Sequence, residues 1–412
     1  MRATSLLRIL LGLKHTRVVG FDLTETGLVV DVALTTSVPR CSCCGKKGGC
    51  YDARVRHWRH LDFGGMRVEL RYRIRRVECA ECGVTTEFVP WAEPSSLFTR
   101  DFELMVAYLA QKTDQTTVSK LMNIAWRSVG AIVGRVMRRR GFEGLLDGLE
   151  RIGIDEISYK KHHKYLTIVT DHDRQRIVWV GEGRSSETLA QFFQVLGKER
   201  TQKLKLVSID MSNAYIQGVQ TYAPQAQIVF DRFHVQRLAQ EALDKVRREE
   251  VGRQTTVDGH RALKKTRWAL QKNPWNLTPR DESKLSSVQA TNRRLYRAYL
   301  LKETLRGALN SYHEISARSE LGDWIAWAAR SQLKPFRRVA KTIKKHLDGI
   351  LAYVRSGLTN ARAEGINSKA RVITKRSYGF HDASSLTAML YLCCSGLTLH
   401  PPRHYPRVRV SL

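Results

Sequence analysis

The chain has 412 residues, with 69 Lys and Arg against 39 Asp and Glu, a formal net charge of +30 with histidine neutral. At 42% hydrophobic and 26% charged it has the make-up of a globular protein of about two to four domains, which excludes disorder throughout. No run of about 18 uncharged apolar residues occurs, so no membrane span is expected.

The opening MRATSLLRILLGLKH is split by Arg8, is followed by no small-residue cleavage site, and reads as mature chain. The charge excess is uneven. Residues 251–412 hold 30 basic and 10 acidic side chains, residues 1–250 hold 39 and 29. Such an excess repels itself unless a polyanion shares it. With no basic amphipathic helix or lipidation signal near a terminus, nucleic acid is favoured over a membrane surface.

Six of the eight cysteines lie within residues 41–82. A long chain without a secretion signal needs no disulfide staples, so metal binding is favoured. Cys41-x-x-Cys44-Gly45 and Cys79-x-x-Cys82-Gly83 are knuckles of the zinc-ribbon kind, each a tight turn that aims two thiolates at one tetrahedral ion. The 34 residues between them read as two strands, RVRHWRHLDF and MRVELRYRIRRVE, joined at Gly64-Gly65. The expected cofactor is one structural zinc on Cys41, Cys44, Cys79 and Cys82. Cys43, Cys50, His57 and His60 compete for a ligand place. Cys393 and Cys394 read as small apolar residues of a buried helix.

After the boundary WAEPSS, residues 99–112 carry a helical apolar pattern. Val118, Leu121 and Met122, a break at Asn123 to Ala125, and then Val129, Ile132, Val133 and Val136 fit a helix-turn-helix whose second helix starts near Trp126. Arg127, Ser128 and Ala131 would face the DNA groove, with Arg138, Arg139 and Arg140 as phosphate clamps. Many helical hairpins share this pattern without a DNA role.

From residue 150 the texture becomes strand, strand, strand, helix, strand, helix, strand, helix, the order of a ribonuclease-H-like sheet. RIGIDEIS ends in acid, KLKLVSID ends at Asp210 and QAQIVFD at Asp231. Asp155 and Asp210 stand near the carboxyl ends of apolar strands, where such sheets bind ligands, although a strand-end turn or helix cap is the rival reading of each. Paired carboxylates repel, and a shared cation relieves them; oxygen ligands suit Mg2+ or Mn2+, and two such ions serve in-line displacement at phosphorus. Residues 351–412 contain two acids, Glu364 and Asp382, amid nine Lys and Arg. Asn360, Glu364, Asn367 and Arg371 share one helical face, which suits metal and phosphate together or, equally, a solvated face.

GIDEIS, SIDMSNAY, VFDRFHV and NARAEGINSKARVITKRSYGF resemble the DDE transposases of bacterial insertion sequences, of the ISL3 family, over roughly residues 38–398. The resemblance implies a multidomain α+β and α/β fold: a zinc ribbon, a helix-turn-helix, and a ribonuclease-H-like mixed-sheet core with a helical insertion. It implies that Asp155, Asp210 and Glu364 bind two divalent ions that cut at a transposon end and then join the 3′ hydroxyl to target DNA. The motif after the fifth strand falls on Asp231, Arg232, Phe233 and His234, and the helix motif on Asn360, Asn367, Lys375, Arg376, Tyr378 and Gly379. CSCCG departs from the usual knuckle in having Cys43.

His234 is expected to donate to the scissile phosphate or leaving group, or to cap its helix; Asp231 is expected to support the metal-binding acids from behind. Lys375 and Arg376 would hold flanking phosphates. Residues 245–345 read as a basic helical insertion along DNA, whose Trp268 and Trp275 either pack in the core or stack on an unpaired base.

The expected blocks are 1–92, a zinc-ribbon domain; 93–145, the helix-turn-helix; 146–244, the first part of the core; 245–345, the insertion; and 346–412, the final core helices and tail. The expected partners are terminal inverted repeats, target DNA and at least one further copy of the chain, in the bacterial cytoplasm and without a membrane. The rivals are a zinc-ribbon and helix-turn-helix regulator, and a nuclease of the same fold without strand transfer.

Overall fold

The computed structural model describes residues 3–402 except 143, 161–163, 357, 359, 377–379 and 381, and gives residues 160, 360–364, 367 and 376 by backbone alone. They form two compact units, one of residues 1–142, 376–393 and 397–412, the other of residues 143–375 and 394–396.

The first unit opens with helix α1 (Ala3–Leu11) and a hairpin, β1 (Thr16–Thr24) and β2 (Gly27–Leu34). These have no strong sequence signature, because β1 is a sheet edge whose alternate residues Val19, Phe21 and Leu23 stay exposed. The strands β3 (Gly49–Phe63), β4 (Met66–Cys79) and β5 (Gly83–Thr86) complete a five-stranded sheet of order β1-β2-β4-β3, with β5 on β4. β3 and β4 are the expected long hairpin: Phe63 faces Met66 across Gly64 and Gly65, whose φ values of +58° and +81° suit the turn that right-twisted strands require. Trp58, Val68, Leu70 and Ile74 bury its inner face, and Trp91 meets Trp58 edge-on at 5.8 Å.

Three helices follow, α2 (Arg100–Lys112), α3 (Gln115–Met122) and α4 (Trp126–Arg140). Thr99 caps α2 and Asp114 caps α3, each side chain accepting a backbone N–H. Asn123 ends α3 in the left-handed conformation (φ +48°, ψ +56°) and turns the chain into α4. Val106, Val118, Val129, Ile132, Val133 and Val136 are fully buried between them. Glu103, also fully buried, accepts from Ser96 and is paired with Arg135 at 2.6 Å and Arg139 at 3.1 Å.

The second unit begins with strands β6 (Arg151–Lys160), β7 (Lys164–Asp171) and β8 (Arg176–Glu182), helices α5 (Ser186–Leu196) and α6 (Lys198–Gln202), strand β9 (Leu206–Ile209), helix α7 (Asn213–Tyr222) and strand β10 (Gln227–Phe230). The sheet order is β10-β9-β6-β7-β8: three antiparallel strands, then two parallel ones added at the β6 edge. This is the ribonuclease-H-like order. One face, through Ile152, Ile154, Val207 and Ile209, packs into the main core with α5 and α7 residues. The other face is small and polar near β9, its apolar part being Leu206 and Val229 against Ala352.

Helix α8 (Arg232–Gly252) runs without a break into the insertion, α9 (Val257–Lys264), α10 (Arg267–Gln271), α11 (Pro279–Thr291), α12 (Arg293–Ala308), α13 (Glu314–Arg330) and α14 (Lys334–Lys345). Leu263, Leu270, Leu285, Leu301 and Trp324 from these helices join the same apolar cluster as the sheet. Helix α15 (Leu347–Ser356) lies against β10, with Gly349 close to the Phe230 ring, and leads to α16 (Asn360–Arg376). The last helix, α17 (Ala383–Cys394), belongs to the first unit as far as Cys393; Gln111 of that unit donates to the Leu392 carbonyl at 2.7 Å. Cys393 and Cys394 are buried in it, as expected of apolar packing residues. No helix among the described residues is long and apolar enough to cross a membrane.

Candidate active site and metal centre

The two knuckles meet because the hairpin between them closes on itself. The first ends just before β3, the second begins at the last residue of β4, and Gly49 is paired with Glu78. The Sγ atoms of Cys41, Cys44, Cys79 and Cys82 all lie within 4.8 Å of one another, the one such group of three or more ligand side chains among the described residues. Gly45 and Gly83, at φ +74° and +68°, make the turn after each pair.

Thr85's hydroxyl and the N–H groups of Cys44 and Cys43 pull the Cys41 thiol down to about 6, whereas Cys44, burial and Cys41 push Cys82 up to about 12. Four thiolates this close need a cation, and the cluster fits a structural zinc. The competitors stand elsewhere. Cys43 and Cys50 are exposed, His57 faces Glu69 at 3.4 Å, and His60 is buried against the Thr99 hydroxyl at 2.8 Å.

In the helix-turn-helix, Arg127 and Ala131 are exposed at the start of α4 and Ser128 is half-buried. Arg138 and Arg140 are exposed at its end. Arg139 is committed to Glu103 and Glu93, so a packing role competes with the phosphate clamp expected of it.

The acids of the second sheet are gathered by register. β6 pairs parallel with β9 up to Gly153 and Ser208, and β9 pairs parallel with β10 up to Ile209 and Phe230. Two residues past the first pairing stand Asp155 and Asp210; one past the second stand Asp210 and Asp231. Asp155 is not at its strand's end, since β6 continues to Lys160 against β7. It lies where the β9 partner stops, which opens the sheet beside it.

Asp210 accepts the Ser212 N–H at 2.9 Å, and Asp231 caps α8 by accepting the Phe233 N–H at 2.9 Å. The Asp155 carboxyl is held above the usual carboxylate range, first by withdrawal from solvent and then by Asp231's charge, against the Glu156 N–H, His234 and Arg371. Glu156, a fourth carboxylate, is raised by burial and by Asp210 and Asp155, with Tyr215 and Arg184 opposing. Its only sequence signal was the doubled acid in GIDEIS.

A cleft of about 600 Å³ opens over Asp155 and Asp231. His234 lines it from the first turn of α8, Ser368 and Arg371 from α16, and Trp275 and Arg306 from the insertion. Arg306 stacks on the Trp275 ring at 4.5 Å, and Arg267 on Trp268 at 5.3 Å. Trp275 is 67% and Trp268 64% exposed, so neither packs in the core. That is the work of Trp324, fully buried with its Nε1 donating to the Leu301 carbonyl. Lys375 is exposed on α16. The side chains of Asn360, Glu364, Asn367 and Arg376, and all of Tyr378 and Gly379, lie outside the described residues.

Three family models match the chain. One described as a transposase, of the ISL3 group, matches residues 152–390; the zinc-finger of transposase IS204/IS1001/IS1096/IS1165 matches residues 37–82; and the helix-turn-helix domain of transposase family ISL3 matches residues 87–136. Among curated relatives, the transposase for insertion sequence element IS1557 of Mycobacterium tuberculosis is 39% identical over 398 residues, covering 90% of this chain and 89% of the relative. The transposase for insertion sequence element IS1001 of Bordetella parapertussis is 30% identical over 352 residues, covering 84% and 87%.

Proposed function

The chain belongs to the ISL3 family of transposases, and from that premise we propose that it cuts DNA at the terminal inverted repeats of its own element and joins the freed 3′ hydroxyls to target DNA. The observation that carries this reading is the register of Asp155, Asp210 and Asp231 on three neighbouring parallel strands, with Asp155 and Asp231 lining a cleft that also holds His234 and Arg371. Glu364 stands four and seven residues before Ser368 and Arg371, the residues by which α16 lines that cleft. Helical spacing of this kind is what the third ligand requires.

The donor set suits hard divalent ions, being all oxygen, and the Asp155 carboxyl, raised first by burial and then by Asp231's charge, is one that a cation would return to its charged form. Asp155, Asp210 and Glu364 would hold two Mg2+ or Mn2+ ions, which supply charge neutralisation at the scissile phosphate and acidify the attacking oxygen. Arg371 adds positive charge to the phosphate from the helix side, and His234 donates a proton or hydrogen bond to its oxygens. Asp231 fixes the first turn of α8 and with it His234. Ser212 holds Asp210 in one orientation.

In the helix-turn-helix, Arg127 and Ser128 read the transposon end in the major groove while Arg138 positions the backbone. Trp268 and Trp275, each already stacked by an arginine, offer faces to unpaired bases at the cut. Asn360, Asn367, Lys375 and Arg376 hold flanking phosphates. Two ends must be held at once, so the active form contains at least two copies of the chain, and it works in the bacterial cytoplasm on the nucleoid.

A supercoiled plasmid bearing two element ends, incubated with the protein, Mg2+ and a target plasmid, tests the reading. Cutting followed by insertion is expected. Cutting alone would leave a nuclease, and binding without cutting would leave a regulator.

A further inference from the structure

Several exposed cations of the second unit are paired with acids, and others, Arg261, Lys264 and Lys265 among them, stand in no ion pair among the described residues. Arg237 holds Glu241, Arg248 holds Asp244, Arg318 holds Glu314 and Arg355 holds the same glutamate. Helix α14 gathers six of the unpaired ones on a single face. Its sequence KPFRRVAKTIKK puts Pro335, Phe336, Val339, Ala340 and Ile343 into the core, and Lys334, Arg337, Arg338, Lys341, Lys344 and Lys345 outward and exposed. Among the described residues none of these six stands in an ion pair. The glutamates nearest along the groove that α14 forms with α8, Glu241 and Glu249, are engaged by Arg237 and Arg294. Lys245 on α8, exposed and in no ion pair among the described residues, lines that groove with Lys334 and Arg338.

Like charges three and four residues apart on a helix repel, and neither α8 nor α14 itself supplies a partner. The helix carries no acid at all. It tolerates the repulsion because its apolar face is anchored. That anchoring also decides the partner: a basic amphipathic helix binds a membrane through its apolar face, and here that face is already buried in the protein. What is left is a rigid row of cations about 17 Å long, matched to the phosphates of about five base pairs of duplex.

We propose that the outward face of α14, with Lys245, is a duplex-DNA backbone site distinct from the helix-turn-helix and from the Asp155 cleft, which holds DNA by its phosphates without reading bases. The inference rests on the reading of the chain as acting on DNA, but not on its cutting. It is tested by binding alone.

The experiment measures affinity of the full chain for a 40-base-pair duplex, with and without an element end, between about 50 and 200 mM salt. The variant R337Q/R338Q/K341Q removes three cations and keeps good helix formers; K344Q/K345Q removes two others and guards against misfolding of the first. R200Q/K203Q/K205Q removes the same charge from cations already paired with Asp147, Glu199 and Glu150.

The expected result is a salt slope shallower by about two to three in the first variant and about two in the second, with affinity at low salt at least about tenfold weaker, and little change in the control. A loss on both duplexes assigns the row to any DNA; a loss confined to the end-bearing duplex assigns it to DNA flanking the end. The proposal is overturned if both variants keep the parent slope, if the control loses as much, or if the row instead governs binding to anionic phosphatidylserine vesicles. Failure of the parent to cut plasmid would bear on the catalytic reading and leave this result intact.

Discussion

Each unit of this protein carries a five-stranded sheet that gathers side chains suited to a metal, and the two do it in opposite ways. In the first, four thiols sit within 4.8 Å on two turns, each turn providing a pair three residues apart. In the second, single acids come from β6, the end of β9 and the end of β10, with a helix expected to bring one more. The ribbon is a closed set that lacks room for substrate, and its ion would serve folding. Two of the acids, Asp155 and Asp231, line an open cleft, and an ion held there would serve chemistry. Losing a ligand should therefore unfold the first site and only silence the second.

The largest effect expected is at the ribbon. C41S or C79S should lose zinc and the fold of the amino-terminal sheet, a loss on the order of 10 kcal/mol of apparent metal-linked stability. Zinc analysis with proteolysis of the purified variant checks it, and one full equivalent of zinc in a folded C41S protein would break the comparison.

Next come the acids. D155N or D210N should cut plasmid about a thousandfold more slowly or worse, while a gel shift with an element end changes by no more than about twofold and the melting temperature holds. A cutting-competent D155N would remove that residue from the site.

The third prediction sharpens the contrast between metal and salt bridge inside the first unit. Glu103 is buried with Arg135 and Arg139 on it, and E103Q leaves two cations facing a neutral group. The cost should be about 3 kcal/mol, read by chemical denaturation with zinc still bound. An unchanged midpoint would show that Arg139 is free for phosphate after all.

The smallest effect is a pH dependence of the second unit. His172 is buried on the same side of the sheet as the acids, its Nε2 at 2.8 Å from the Ser208 hydroxyl, and no side chain fits at Gly153 without meeting its ring. Withdrawal from solvent, outweighing Asp173, Asp171 and Asp231, lowers its pKa, with Arg151 acting in the same direction as burial. The unfolded chain therefore takes up the proton first. Stability is complete above about pH 6.5 and falls as the pH drops from there toward the folded pKa, by at most about 1.4 kcal/mol per pH unit. H172Q should flatten that limb of a melting-temperature profile.

The contrast between the sheets also explains what could be read from the chain. Local grammar was legible: the Cys-x-x-Cys-Gly knuckles, the Gly64-Gly65 turn and the break at Asn123 are each written within a few residues, and each sits where its spacing placed it. The strand and helix order of the core was legible for the same reason, because every element carries its own period.

What depends on tertiary context was not. Residues 3–34 form a helix and a hairpin whose exposed edge hides its alternation. Asp155 looked like a strand end, yet the strand runs on and the opening beside it is made by β9 stopping short. Glu156 gave no signal apart from its neighbour. The exposure of Trp268 and Trp275 beside buried Trp324 follows from which helix faces the core, which spacing along one helix does not reveal. Arg139 looked like its neighbours Arg138 and Arg140 and is distinguished by a carboxylate 36 residues away.

The central claim is that Asp155, Asp210 and Glu364 share divalent cations against a DNA strand. Crystals of the protein with an element end and Mn2+, measured at a wavelength where manganese scatters anomalously, test it directly. Anomalous peaks within coordinating distance of Asp155, Asp210 and Glu364 are what the account predicts. Manganese bound without Glu364, or absent from the Asp155 cleft in a complex with DNA in place, would contradict it.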